Sequence, residues 1–464
     1  MKKWYFKSTV VVGLIMLFLL TPTIFANFSM ESELQIAVER EDLITIQNLI
    51  AAGVDLNQTN EWGETILMLA TESTTNPEIF KMLIQGGARL SARDENGWTP
   101  LMCAVLFDQN PEVIKIMIEA GAEIDAIDEY GGTPLMYAVK SSANSDIVKT
   151  LIEAGAAIEA KDEDGWTPLT YAVSFNEDPE IVQILIDAGV ALEVEDGDGW
   201  TPLMSAAWFN ESSEVIKILL DAGASVQARD EGGWTPLMYG AGFNENPEVT
   251  KMFLEAESDI HAISDDGGTA LMYAAAFNEN SEITSILIEA GANVEARDED
   301  NWTPLMYAAW SNGNPEVLEI LLESGANVEN RDVDGETPLM SAAAFNWNSE
   351  IIKKLVEFGA DVEARDWDDW TPLMHAAWSS YNPEITQTLI EMGANVNALD
   401  SYGQTVLMLA AEFNSNPEII RVLLNGGANG KLKCSEGKTA FDYAKENFEL
   451  KGTDEYWLLN DARF

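Results

Sequence analysis

Residues Thr303 to Glu336 read TPLMYAAWSNGNPEVLEILLESGANVENRDVDGE, and most of the chain is copied from this stretch. Thr-Pro-Leu-Met, or a close variant, begins at Thr65, Thr99, Thr133, Thr167, Thr201, Thr235, Thr269, Thr303, Thr337, Thr371 and Thr405, with a worn copy at Thr439. Every step is 34 residues. A fixed period of this length marks a stacked array, because one copy alone cannot bury its apolar face. Length alone, 464 residues, points to about three domains. The repeat replaces that expectation with one elongated all-α solenoid.

The punctuation within the unit has physical meaning. Thr303-Pro304 is a helix start, a hydroxyl cap followed by proline at the first helical position, where its missing N–H costs nothing. Leu305, Met306, Ala308 and Ala309 give a short helix whose small residues let a neighbour approach. Asn314-Pro315-Glu316 repeats the start signal, with an acid near the positive helix end. Val317, Leu318, Ile320 and Leu321 supply the apolar stripe of a second helix, and Gly325 ends it. Val328 to Glu336 then runs out and back around Asp332-Val333-Asp334-Gly335, a turn sequence. Helix, turn, helix and projecting loop make one layer.

This pattern, T-P-L-x-x-A-A, a helix opening E-V, G-A-x-V, then D-x-x-G before the next T-P-L, resembles the ankyrin repeat and covers residues 32 to about 460. The resemblance implies stacked helix-turn-helix repeats with projecting β-hairpin loops and a protein-binding role. The tetratricopeptide repeat fits poorly, because its Trp…Leu-Gly…Tyr signature is absent. Two departures stand out. The ankyrin unit is usually 33 residues with His after T-P-L. Here one extra residue falls between the helices, around Phe277-Asn278-Glu279-Asn280, and Met mostly replaces the His. The hydrogen bonds that such a His makes between repeats must then be replaced by something else, and apolar packing is the expectation.

Residues 1–26 read as a secretory signal peptide: Lys2, Lys3 and Lys7 form a basic start, Thr9 to Leu20 an apolar core, and cleavage is expected after Ala26. Export to the periplasm or cell exterior follows, with an uncleaved N-terminal anchor as the alternative and no membrane span once the leader is removed. Residues 27–64 form an entry cap, 65–438 eleven repeats and 439–464 an exit cap, whose Lys431, Lys433, Lys438, Lys445 and Lys451 make that end the least acidic. Cys103 and Cys434 stand almost ten layers apart in such a stack, too far to pair. Thr235 to Gly268 is a weak copy. It has Gly240 and Gly242 within a helix, and Glu257-Ser258 where others carry Gly-Ala, and it reads as a soft joint.

The formal net charge is −52 at pH 7, which repels phosphate backbones and excludes nucleic acid as a partner. Such a field keeps a long stack soluble and favours a basic protein or peptide; a monomer is expected. The ring-bearing residues are the candidate partner-binding set: Trp98, Trp166, Trp200, Trp234, Trp302 and Trp370 precede the Thr, Tyr137, Tyr171, Tyr239, Tyr273 and Tyr307 follow four after it, and Trp208, Trp310 and Trp378 seven after it. By the resemblance these positions face a concave groove, where rings and carboxylates would suit Lys or Arg side chains. The alternatives are rings that buttress adjacent loops, a carbohydrate- or cell-wall-binding face, and a structural rod of the envelope. The series Phe107, Phe175, Phe209, Phe243, Phe277, Phe345 and Phe413 reads as filler for the gap made by the extra residue.

Asp162-Glu163-Asp164-Gly165, Asp196-Gly197-Asp198-Gly199 and Asp332-Val333-Asp334-Gly335 look like pieces of calcium loops but lack the full twelve-residue spacing. The two histidines, His261 and His375, fall in different repeats and read as substitutions in the scaffold. No nucleophile–base set, phosphate-cradling loop or metal-spaced Cys/His cluster is present, so neither enzyme activity nor a cofactor nor a metal site is expected.

Overall fold

A computed structural model describes residues 30–107, 110–141, 144–176 and 178–464; the expected leader lies outside them. The chain divides into two units, Met1–Glu123 and Ile124–Phe464. The described residues of the first contain three helix pairs, from Met30–Glu39 and Leu43–Ala51 to Pro100–Phe107 and Pro111–Glu119. The second runs from Pro134–Lys140 to Asp454–Ala462. Within each unit, first helices of successive repeats pack on one another, and second helices do likewise.

The two kinds of helix bury themselves differently. In Pro304–Ser311, residues Pro304, Leu305, Met306, Ala308 and Ala309 are all buried, because neighbouring first helices cover both sides. In Pro315–Glu323 only Val317, Leu318, Leu321 and Leu322 are buried, so this helix keeps a solvent face. Gly325 closes it at φ +96°, and Ala326 N–H returns to Leu321 C=O at 3.0 Å.

Met at the family's His position completes the N-terminal cap. Thr371 Oγ1 accepts from Met374 N–H at 3.4 Å, and Met374 Sδ accepts from Thr371 N–H at 3.4 Å. A sulfur thus does the job usually given to Glu or Gln in a capping box.

Each projecting loop is a single tight turn. Asp298 N–H bonds Trp302 C=O at 3.2 Å across the turn, and Glu299 N–H reaches back to Asp266 C=O of the preceding loop at 3.1 Å. Like bonds link most neighbouring loops, as from Glu95 N–H to Trp62 C=O and from Trp367 N–H to Asp334 C=O. Among the described residues there is no strand, only an isolated bridge between Leu399 and Thr405, so the hairpin is reduced to its turn.

The extra residue proves to be a buried asparagine. Asn278 Nδ2 donates to Ala241 C=O at 3.0 Å and to Asn244 C=O at 2.7 Å, both in the preceding layer. Asn210, Asn244, Asn312, Asn346 and Asn414 repeat the arrangement. Ala241 lies in the last turn of Pro236–Phe243, so the amide satisfies a carbonyl that the helix end leaves unpaired. Two residues on, Asn280 Oδ1 caps the second helix at Glu282 N–H, and its Nδ2 reaches Glu245 C=O at 2.9 Å. Paired asparagine amides therefore join apolar packing of the buried methionines in linking one layer to the next.

Candidate interaction surface

In the second unit most of the ring-bearing residues between Trp166 and Trp310 come together, but not all at the surface. Each Tyr hydroxyl is spoken for. Asp298 Oδ1 accepts from Asp300 N–H at 3.0 Å and Trp302 N–H at 2.7 Å, which closes the loop turn, while its Oδ2 accepts from Tyr307 at 2.8 Å. Tyr171 pairs with Asp162 at 2.6 Å, and Tyr137 and Tyr239 pair with Asp128 and Asp230. Burial and then the adjacent carboxylate push the phenols of Tyr171, Tyr239 and Tyr307 well above their ordinary value. These tyrosines tie first helix to loop. Tyr239 and Tyr273, expected on the partner-binding surface, are only 3% exposed and lie beneath Trp200 and Trp234, with ring centroids 4.4 Å and 3.7 Å apart.

The loop carboxylates are likewise engaged. Asp162 and Asp230 each accept from backbone N–H groups two and four residues ahead, as a turn-forming Asp does. Burial raises the pKa of Asp196 and Asp332.

The tryptophans remain half open. Trp98, Trp166, Trp200, Trp208, Trp234, Trp302, Trp310 and Trp370 are partly exposed, and Trp378 more so. The phenylalanine series corrects the sequence expectation. Phe107, Phe175, Phe209, Phe277, Phe345 and Phe413 are between 37% and 53% exposed; after the last five of these the following Asn turns inward and fills the gap instead. In the second unit the rings of Phe175, Phe209, Phe243 and Phe277 join the tryptophans in one run. Trp166 stacks on Phe175 at 5.6 Å, Phe175 on Phe209 at 6.4 Å, Trp208 on Phe243 at 4.0 Å and Phe243 on Phe277 at 5.3 Å. Phe277 then meets Trp310 edge-on at 6.4 Å. Trp370 and Trp378 form a separate pair at 5.8 Å, and among the described residues no ring pair joins them to Trp310. Glu163, Asp164, Glu231, Asp265, Glu299 and Asp300 stand exposed on the loop tips of the same unit.

Family models described as ankyrin repeats (3 copies) match residues 34–128, 73–162, 108–196, 135–230, 173–261, 237–332 and 311–400, and one described as ankyrin repeats (many copies) matches 389–444. The chain belongs to the ankyrin-repeat family. No curated protein matches it. As an ankyrin-repeat protein it is a scaffold for protein–protein interaction. Among the described residues no helix is long and apolar enough to cross a membrane, and Cys103 and Cys434 are both free and buried.

One feature of this ankyrin array has no counterpart in the sequence reading. Glu336 stands where Trp302 and Trp370 stand in adjacent copies, and His375 stands where Tyr307 does. His375 Nε2 lies 2.8 Å from Asp366 Oδ2, and its Nδ1 lies 3.9 Å from Glu336 Oε1. Burial lifts the Glu336 carboxyl above the usual range. At Asp366 burial acts the same way but is outweighed by His375 and the backbone donors, so its pKa falls. Overlaying the copies in register would have exposed this pair of substitutions, since position before Thr and position four after the next Thr are neighbours in space.

Proposed function

We propose that this is an exported ankyrin scaffold without catalytic activity, which binds a basic protein or extended peptide on the aromatic and acidic face of its second unit. The observation that carries the reading is the run of half-exposed rings from Trp166 to Trp310 beside exposed loop carboxylates. A cation already occupies one end of it: Lys140 Nζ sits 4.9 Å above Phe175 and 5.3 Å from Tyr171. That contact is the kind a partner's Lys or Arg would make along the rest of the run. The rings supply contact area at little entropic cost, and the net charge of −52 accelerates encounter.

Titration calorimetry of the full chain with an extended Lys- and Arg-rich peptide tests this reading. Affinity falls steeply as salt is added, because exposed charges are screened beyond about 8 Å at physiological ionic strength. A soluble oligosaccharide that bound instead, with no dependence on salt, would move the function to carbohydrate recognition.

A further inference from the structure

We propose that Glu336, Asp366 and His375 form a binding site for one divalent transition-metal ion of the zinc type. One ligand atom from each residue lies within 4.8 Å of the other two. The chain has 78 acidic residues, but these are not loose surface carboxylates: the side chains of His375, Asp366 and Glu336 are 5%, 8% and 25% exposed.

The hydrogen bond from His375 to Asp366 by itself repeats the Tyr–Asp pair of the other layers. It leaves Glu336 unexplained. In six copies the residue before Thr is Trp, and Trp200 and Trp234 pack on the next layer's Tyr239 and Tyr273. Here the ring is exchanged for a carboxylate and the tyrosine for an imidazole, at the same contact. The result is a single buried imidazole flanked by two carboxylates, at the place where the run of rings is interrupted between Trp310 and Trp370.

Asp366 and His375 are oriented before any ion arrives, and the ion would take the place of the proton they share. Asp366 Oδ1 accepts from Trp370 N–H at 2.8 Å and Asp368 N–H at 2.9 Å, which aims Oδ2 at His375. The edge of Trp370 packs against the imidazole with ring centroids 5.3 Å apart. Such outer contacts fix ligand orientation. Glu336, the most exposed of the three, supplies the adjustment needed to close on an ion. One imidazole nitrogen with two carboxylate oxygens suits zinc and its neighbours rather than calcium, which takes six to eight oxygens. Three protein ligands leave a coordination position open to water or to a partner's side chain.

The test is titration of the EDTA-stripped full chain with zinc chloride, in excess magnesium and calcium to occupy scattered carboxylates. One saturable ion per chain and a rise in Tm are expected. His375→Tyr restores the residue found in other layers, so the metal-free variant should melt with wild type while losing the site. Glu336→Gln keeps the side-chain shape and should weaken binding about tenfold or more; it carries the test should His375→Tyr fold poorly. Absence of a saturable site in wild type, or wild-type zinc affinity in either variant, would overturn the assignment.

Discussion

Gly240 is a glycine because Phe253 needs the space. Adjacent copies carry Ala206 and Ala274 opposite Leu219 and Leu287; this one carries Gly240 opposite a fully buried Phe253. A Cβ on Gly240 would lie 2.9 Å from Phe253 Cε2. Helix propensity alone makes Gly240→Ala stabilising, but the clash reverses the sign. We expect it to cost about 2 kcal/mol in equilibrium denaturation, and Phe253→Leu in the same chain to recover most of that loss. Packing of Phe253 into that space offsets the low helix propensity of Gly240. Glu257, at φ +62° where other copies have glycine, does hold the left-handed backbone expected of it, at about 1 kcal/mol. Any soft joint in this copy resides there.

At the scale of the element, the Asn-x-Asn link between helices does most to define this variant of the repeat. Asn278→Ala would strand the carbonyls of Ala241 and Asn244, and we expect a loss of about 3 kcal/mol in stability, against less than about 1 kcal/mol for Phe277→Ala beside it. Thermal or chemical denaturation of the two variants checks the contrast. The helix starts, the glycine stops and the period were legible in the sequence, because each is a local signal within a few residues. The asparagine link was not. Asn314 reads correctly as a cap, but the amide partners of Asn312 lie 34 and 37 residues back. The outward phenylalanines follow from the same link, since an inward amide leaves the preceding ring outward. Glu336, Asp366 and His375 were hidden for the same reason: their chemistry spans two copies, with Glu336 lying 39 residues before His375.

At the scale of the whole molecule, two different surfaces share one repeat. Buried amides hold layers together, methionine caps and Tyr–Asp pairs fix each first helix and its loop, and the half-open Trp and Phe rings are left over for contact with something else. Stability and binding are therefore expected to separate by mutation. The measurement that tests it most directly is the affinity of the full chain for a Lys- and Arg-rich peptide before and after Trp208→Ala with Phe243→Ala, a stacked pair in the middle of the run. The account predicts affinity reduced about tenfold or more, with the fold retained by circular dichroism. Unchanged affinity in that doubly substituted chain would contradict it, leaving bulk charge as the sole attraction.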